Sequence, residues 1–369
     1  MAKNVIVVFG GVSNENEVSV ITGTMAANIL KNGGLTVIPV YIAQDGTTYC
    51  SPSLADVSVF KGDNFRRFPK ALIANGGVYL FNKKGKMKKF VKADAALNCC
   101  HGGTGEGGAV SGLFQTADIP LASAGIFESS LFMDKYLTKL ILSALGVKTA
   151  EYTYIKTREE VDCPHNMPQF PLIVKPVTLG SSIGVEKANN LKELQSAVET
   201  ALIYDSAVIV EKYLENRREI NCAAYFYGGE VVTSECEEAI SGGEILSFED
   251  KYQGGGKSVL PADIPTDTAK LIKDTTRKVY SDLNMRGIVR FDYIISGGEV
   301  YLSEVNTVPG SLSYYLLSSG FKDFFAVLNA VIEQAEEDFH FAKSKKLLHT
   351  GILENISSRS IKGSKHLEN

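Results

Sequence analysis

The chain of 369 residues reads as α/β at its start and α+β further on: a domain built on a parallel sheet, then segments built on antiparallel hairpins. Three observations carry this. Residues 3 to 9, KNVIVVF, form a β-branched run ending at Gly10-Gly11, after which ENEVSVITGTMAANILKNG has helical spacing and stops at Gly33-Gly34 before the strand TVIPVYIA. The order then repeats through AALNCCHGGTGEGGAVSGLFQTADIPLA as strand, glycine loop, helix and strand, the pattern of a parallel sheet with ligand loops at its strand ends. Past residue 170 the linkers shorten to glycine-rich turns between apolar runs, as in FPLIVKPVTLGSSIGVEKA and GIVRFDYIISGGEVYLSEVN.

Taken in order, the first domain spans residues 1–124. It carries an insertion, residues 50 to 92, whose GGVYLFNKKGKMKKFV predicts a hairpin, with six lysines in the ten residues 83 to 92, read as a solvated edge that resists aggregation. A helix is expected from Ser129 to Leu145, and residues 125–211 form a small α+β domain with an amphipathic helix at LKELQSAVETALIYD and a strand at AVIVEKYL. Residues 212–342 hold antiparallel strands, a long irregular loop at 240 to 265, a helix at DTAKLIKDTTRKVYSDLN, the second glycine hairpin and a closing helix. A loop of that length in a compact chain is usually a lid. Residues 343–369 are a polar, mildly basic tail.

Composition narrows the function classes. At 44% apolar and 22% charged, with a net charge of -4 and a pI near 5.9, the chain gives no reason to expect nucleic acid or an anionic membrane as partner, so small molecules are the default. Six cysteines without CxxC or zinc-type spacing fit a reducing, cytoplasmic setting. The N-terminus has no signal-peptide pattern, and no segment approaches a membrane span.

The hairpin from 287 to 310 places Arg290, Asp292, Glu304 and Asn306 where Val or Ile would pack better. Strand alternation puts Glu304 with Asn306 and Arg290 with Asp292. A two-residue Gly297-Gly298 turn with regular pairing sends the two pairs to opposite faces. A three-residue turn, 297 to 299, pairs 292 with 304 and 290 with 306, and this odd loop is the expectation. Two carboxylates and an amide oxygen on one face are hard ligands of the kind Mg²⁺ takes; a surface Asp-Arg pair is the plainer alternative.

Other stretches are weaker alone. Lys175 at a strand end precedes Gly180-Ser181-Ser182-Ile183-Gly184, whose successive N–H groups suit a phosphate, or merely a turn. Lys135 in MDKYLTK reads equally as a surface lysine. Glu211, Lys212, Tyr213 and Leu214 end an apolar strand and suit a purine edge, or a fraying strand. Glu15 is an acidic first-turn residue, at home near a helix dipole, and His101 stands at a glycine-rich strand end, with Glu106 in the same loop.

The order Lys135, Lys175 with its glycine loop, Glu211 to Leu214, Glu219, then Asp292 and Glu304-Val-Asn306 resembles the ATP-grasp superfamily. With GGVSNENEVS, HGGTGEGG, FEDKY and NTVPG, the chain is similar to the D-alanine:D-alanine ligases over residues 4 to 340. The resemblance implies a three-domain fold with a Rossmann-like N-terminal domain, and ATP and D-alanine as its small-molecule partners. It implies that Lys135, Lys175, Ser182 and Lys251 meet ATP phosphates, that Glu211, Lys212, Tyr213 and Leu214 hold adenine, and that Glu219 holds ribose. It further implies that Asp292, Glu304 and Asn306 hold two Mg²⁺ ions, with Mn²⁺ as substitute. Glu15 takes the ammonium of the first D-alanine in a triad with Ser181 and Tyr252, His101 approaches that substrate, and Arg290 and the Gly310 N–H stabilise the tetrahedral intermediate. Residues 240 to 265, with Lys251 and Tyr252, become the lid. A homodimer serving cell-wall precursor synthesis is the family expectation.

One stretch departs from the family. After NTVPG, where relatives continue with a Thr-Ser-His-Ser-Leu type sequence that receives the second substrate, this chain has Ser311-Leu312-Ser313-Tyr314-Tyr315-Leu316. Tyr315 and Leu316 then line the second-substrate site, and D-serine or another small amino acid competes with D-alanine for it. Tyr252, where depsipeptide-forming relatives have phenylalanine, favours an amine nucleophile. The first βαβ unit alone suggests a Rossmann oxidoreductase, against which stands the missing GxGxxG spacing. A noncatalytic nucleotide binder is disfavoured by the full set of cations and acids.

Overall fold

The structure, a computed structural model, describes residues 3–161, 167–240 and 257–352. Lys251 and Tyr252, and most of the expected lid, lie outside the described residues. The chain divides into two units after Glu336; everything below concerns the first, apart from the last residues of the closing helix.

The first sheet is built by β1 (Asn4–Gly10), β2 (Thr36–Ile42), β3 (Thr48–Cys50), β4 (Lys70–Ala74), β5 (Gly77–Phe81), β6 (Met87–Lys92), β7 (Ala95–Asn98) and β8 (Leu121–Ala122), in the order β6-β5-β4-β3-β2-β1-β7-β8. Pairings β1–β2, β1–β7 and β7–β8 are parallel, as expected of a βαβ start, with α1 (Asn16–Asn32) as the first crossover. The insertion continues this sheet outward as antiparallel strands, its lysine-rich β6 at the edge. Strand β1 is buried on both faces. Val5, Val7 and Phe9 join a core with Leu30, Phe324 and Leu328, while Ile6 and Val8 join another with Val110 and Phe114. That is why KNVIVVF is continuously apolar rather than alternating.

Helices α2 (Gly103–Glu106) and α3 (Ala109–Thr116) follow β7. The single helix expected over 129–145 is instead α4 (Ile126–Met133) and α5 (Lys135–Ala144). Asp134, in extended conformation, separates them and caps α5, its carboxylate accepting from the Leu137 N–H at 2.9 Å. The break makes Lys135 the first residue of a helix rather than a mid-helix side chain.

A second, antiparallel sheet has order β11-β10-β12-β9, from β9 (Tyr152–Ile155), β10 (Leu172–Pro176), β11 (Glu186–Ala188) and β12 (Val208–Lys212), with α6 (Leu191–Tyr204) packed on it. The third sheet runs β16-β15-β13-β17-β18, with β14 also on β13: β13 (Arg218–Tyr227), β14 (Glu230–Thr233), β15 (Glu237–Ile240), β16 (Lys257–Val259), β17 (Val289–Ser296) and β18 (Glu299–Asn306). Strand β16 lies inside the segment expected to be irregular, because residues 257–259 pair with β15. Helix α7 (Thr266–Asp282) covers one face, where Ile272, Val279 and Tyr280 meet Phe291, Tyr293 and Leu302. The chain closes with the short α8 (Tyr314–Leu317) and with α9 (Phe321–Lys343). Among the described residues no single helix is long and apolar enough to cross a membrane.

The β17–β18 hairpin corrects one expectation while keeping its outcome. Ser296 pairs with Glu299, so the turn is the two residues Gly297 and Gly298, with φ of 58° and 81°, the type I′ geometry that suits strand twist. A register shift between Asp292 and Tyr293 then restores the expected pairs, Asp292 opposite Glu304 and Arg290 opposite Asn306. Ser303 is the extra residue of a β-bulge. Leu302 and Glu304, two apart, therefore face opposite sides: Leu302 joins the core and Glu304 stays half-buried on the other face.

Candidate active site

On the face of the third sheet away from α7, one polar row crosses four strands. Glu237 pairs with Asn221, Asn221 with Asp292, and Asp292 with Glu304. The Asn221 amide donates to Glu237 at 3.0 Å. Arg290, one pair along, forks onto Asp292, with Nε 2.7 Å from Oδ1 and Nη2 2.9 Å from Oδ2, and the Asn306 amide donates to Oδ2 at 3.0 Å. Asp292, Glu304 and Asn306 thus form an all-oxygen donor set on adjacent strands. Such a set suits a hard divalent cation, since both carboxylates keep part of their surface open to solvent, 22% for Asp292 and 36% for Glu304.

Lysines approach from the second sheet and α5. Lys135 lies 4.0 Å from Glu304 Oε1 and donates to the Leu179 carbonyl at 2.5 Å, beside the glycine loop. In that loop Ser181, Ser182 and Gly184 all have positive φ, so the chain turns tightly after β10. Lys175 donates to Glu211 Oε2 at 3.0 Å, and Lys139, absent from the sequence-based candidates, lies 3.2 Å from Glu211 Oε1. Burial alone would raise the Glu211 pKa, but Lys139 and Lys175 hold it down at about 2. Burial opposes the charge on Lys175 too, and the Glu211 and Glu304 carboxylates outweigh it, leaving its pKa above the ordinary value. For Lys139 burial prevails over Glu211, and its pKa is lowered.

Around this cluster a cleft is lined by Ile173, Tyr213, Leu214, Ile294, Tyr301 and Ser303, with Lys212 at its edge. Lys187 and Arg217 sit 4.2 and 5.4 Å from the Tyr213 ring centroid, so that ring already carries cations on its surface. Glu219 pairs with Arg217 at 3.0 Å.

The first domain contributes Glu15 and His101. Glu15 stands at the N-cap just before α1 and accepts a hydrogen bond from the Ser181 hydroxyl, tying the strand-end loop to the glycine loop. Two glycines make room for it. A Cβ on Gly102 would stand 2.4 Å from Glu15 Oε2, and one on Gly180 would stand 3.1 Å away. His101 is buried, with Nδ1 2.7 Å from the Val308 carbonyl, and a carbonyl only accepts, so the proton is on Nδ1. Nε2 then accepts from Thr22, whose oxygen accepts in turn from the Ser311 N–H at 3.1 Å. Burial pushes the His101 pKa down to about 4, keeping the ring neutral. Glu106 accepts from the N–H groups of Gly102 and Val308 at 3.0 and 3.2 Å; burial and the neighbouring Glu15 push its pKa up to about 7.

Residues Ser311, Leu312 and Ser313 have φ of 49°, 47° and 51°, three successive left-handed positions in non-glycine residues. The Thr22 and His101 bonds restrain this turn from the side. No heavy atom lies within 4 Å of where a Gly310 Cβ would stand, so the backbone there faces open space. Tyr315 is half-buried near Arg290; burial raises its pKa and Arg290 works the other way. Leu316 is buried.

The structure thus gathers Glu15, Ser181, Lys135, Lys175, Glu211, Arg290 and the oxygen trio around two facing sheets. Lys139, Thr22 and Glu237 were not singled out in the sequence. The only signal for Lys139 was its place one turn after Lys135, and Thr22 and Glu237 gave none. A cleft between an antiparallel glycine-loop sheet and a sheet bearing a carboxylate row is the arrangement of the ATP-grasp class of ligases. Family models described as "D-ala D-ala ligase N-terminus" and "D-ala D-ala ligase C-terminus" match residues 4–124 and 141–326. A protein of Thermosipho africanus named D-alanine--D-alanine ligase is 34% identical, over 93% of this chain and 95% of that one. The crystal structure of the Helicobacter pylori D-alanine-D-alanine ligase superposes with a TM-score of 0.74 at 28% identity, over 90% of this chain and 98% of that one. A Coxiella burnetii D-alanine-D-alanine ligase structure, at 22% identity, shares the fold with a TM-score of 0.78 over 96% and 99%. The chain belongs to the D-alanine--D-alanine ligase family.

Proposed function

We propose that this enzyme joins two D-alanine molecules at the expense of ATP, the first carboxylate becoming an acyl phosphate that the second amine attacks. What carries the reading is the polar face of the β17–β18 hairpin, where Arg290, Asp292, Glu304 and Asn306 share one side because of the Ser303 bulge.

Glu15, held by Ser181, binds the ammonium of the first D-alanine. Lys135 and Lys175 neutralise phosphate oxygens, and Lys175 leaves Glu211 to do so. Ser182 in the glycine loop and Lys251 add phosphate contacts, Glu211, Lys212, Tyr213 and Leu214 hold adenine, and Glu219 holds ribose. Mg²⁺, when held by Asp292, Glu304 and Asn306, supplies charge neutralisation on the nucleotide phosphates. Arg290 turns from Asp292 toward the oxyanion, joined by the Gly310 N–H. His101 stays neutral and positions the substrate side of the cleft, Tyr252 completes the triad with Glu15 and Ser181, and Tyr315 and Leu316 border the second substrate. Catalysis then rests on positioning and electrostatics, with no covalent enzyme nucleophile. Two bound metal ions, a homodimer and a cytoplasmic location complete the proposal; sedimentation tests the dimer.

The deciding experiment measures ADP release and product mass over a D-amino-acid panel with Mg²⁺ and ATP. D-alanine alone is expected to give the dipeptide. No dipeptide at millimolar D-alanine overturns the reading, and turnover only with a mixed pair moves the second substrate to D-serine or another small amino acid.

A further inference from the structure

Lys139 has no part in the mechanism above, yet it is among the most deeply buried side chains described, at 2% exposure. It lies on α5 one turn after Lys135, so both lysines leave the same face of the helix. Its ammonium stands 3.2 Å from Glu211 Oε1, 3.4 Å from the Ala150 carbonyl and 5.4 Å from the centre of the Tyr152 ring. Lys139 and Glu211 both line the nucleotide cleft. Burying a lysine is costly, and an apolar side chain of similar volume packs such a site equally well. A purely structural position would therefore not need the charge.

Glu211 takes the 6-amino group of adenine as an acceptor, most strongly as a carboxylate, whose oxygens both accept and neither donates. The charged groups facing it are Lys139 from α5 and Lys175 from β10. Lys175 is the one that phosphate draws away, whereas Lys139 is anchored by its backbone carbonyl and aromatic neighbours. We propose that Lys139 is a positioning residue for base selection: it keeps Glu211 ionised and oriented as an acceptor while ATP occupies the cleft, and so makes the site choose adenine over a 6-keto purine. Without it, Glu211 in its enclosed site takes a proton and becomes a donor, matched to the O6 acceptor of hypoxanthine rather than to an amine.

The inference rests on the ATP-dependent reading above, and the test separates the two. Initial rates are measured with ATP and with ITP for the wild type, Lys139→Met, Lys139→Arg, Glu211→Gln and the double variant Lys139→Met/Glu211→Gln. Wild type that makes no dipeptide with ATP ends the functional reading itself. Given an active wild type, Lys139→Met is expected to raise KM for ATP at least tenfold with kcat within about threefold, and to lower the ATP-to-ITP preference in kcat/KM at least tenfold. Lys139→Arg keeps the preference, and adding Lys139→Met to Glu211→Gln changes it no further. An unchanged ATP-to-ITP ratio in Lys139→Met overturns the proposal. If Lys139→Met does not fold, equilibrium binding of ADP and IDP to Lys139→Arg and to the double variant decides: a preference lost in Lys139→Arg, or a double variant that differs from Glu211→Gln, overturns it equally.

Discussion

Glu211 and Asp292 each hold two partners, yet they do so under opposite conditions. Glu211 has 6% of its side chain exposed and Lys139 and Lys175 have 2% and 12%; Asp292 and Arg290 show 22% and 17%. Glu211 draws its lysines from two different elements, a helix and a strand. Asp292 is held by a residue two positions away on its own strand and by the opposite residue of the same hairpin. The first is a network knit into the fold, and the second is local to one hairpin and partly open to solvent. A buried ion pair resists loss of one member far more than a pair that water reaches.

Stability should therefore respond unequally. Glu211→Gln leaves Lys139 and Lys175 without their carboxylate and is expected to cost about 3–5 kcal/mol, whereas Asp292→Asn costs no more than about 1 kcal/mol; urea denaturation compares them, and equal losses would break the contrast. Activity should respond in the reverse sense. Arg290→Ala is expected to lower kcat by about 10²–10³-fold with an unchanged circular dichroism spectrum, and a variant that unfolds instead would place Arg290 with the structural network.

The pH dependence extends the contrast. The Glu211 pKa in the folded chain, about 2, is below its ordinary 4.5. Its contribution to stability is therefore present above pH 4.5 and lost as pH falls toward 2. Glu106 has the opposite sign. Its pKa of about 7, above 4.5, gives stability that is full below pH 4.5 and lost as pH rises through 7. Melting temperature followed from pH 4.5 to 7.5 should fall less in Glu106→Gln than in the parent; parallel curves would remove Glu106 from the titrating set. The smallest effect on rate expected is that of Thr22→Val, which takes the donor from His101 and the acceptor from Ser311. A loss of about 1 kcal/mol and a few-fold fall in kcat should follow, restored by Thr22→Ser, and measured by denaturation and rate together.

The same division governs what was legible in the sequence. Apolar runs and glycine-rich strand ends announce the parallel start, the glycine loop and the hairpin, and several site side chains are polar residues in apolar runs, as Arg290 and Asp292 are. Lys139 escaped because a lysine in KYLTKLILSA looks like an exposed helix position until the tertiary fold buries it. The helix break at Asp134 escaped because Asp is tolerated mid-helix, and only the cap to the Leu137 N–H shows what it does. The pairing of Asp292 with Glu304 was expected for the wrong reason: the turn is even, and the odd residue is Ser303 in the strand. Turn residues advertise themselves through glycine, whereas a bulge at a serine has no composition of its own.

That bulge makes the hairpin's length negotiable at one place. Removing Ser303 from the chain leaves a two-residue turn with regular pairing, in which Asp292 still meets Glu304 and Arg290 still meets Asn306. Removing either neighbour, Leu302 or Glu304, takes away a core side chain or a carboxylate instead. A one-residue deletion scan along β18 should thus show a single permissive position. Related chains with hairpins one residue shorter can carry the same four polar groups on the same face, so loop length there is a poor guide to whether the site is intact.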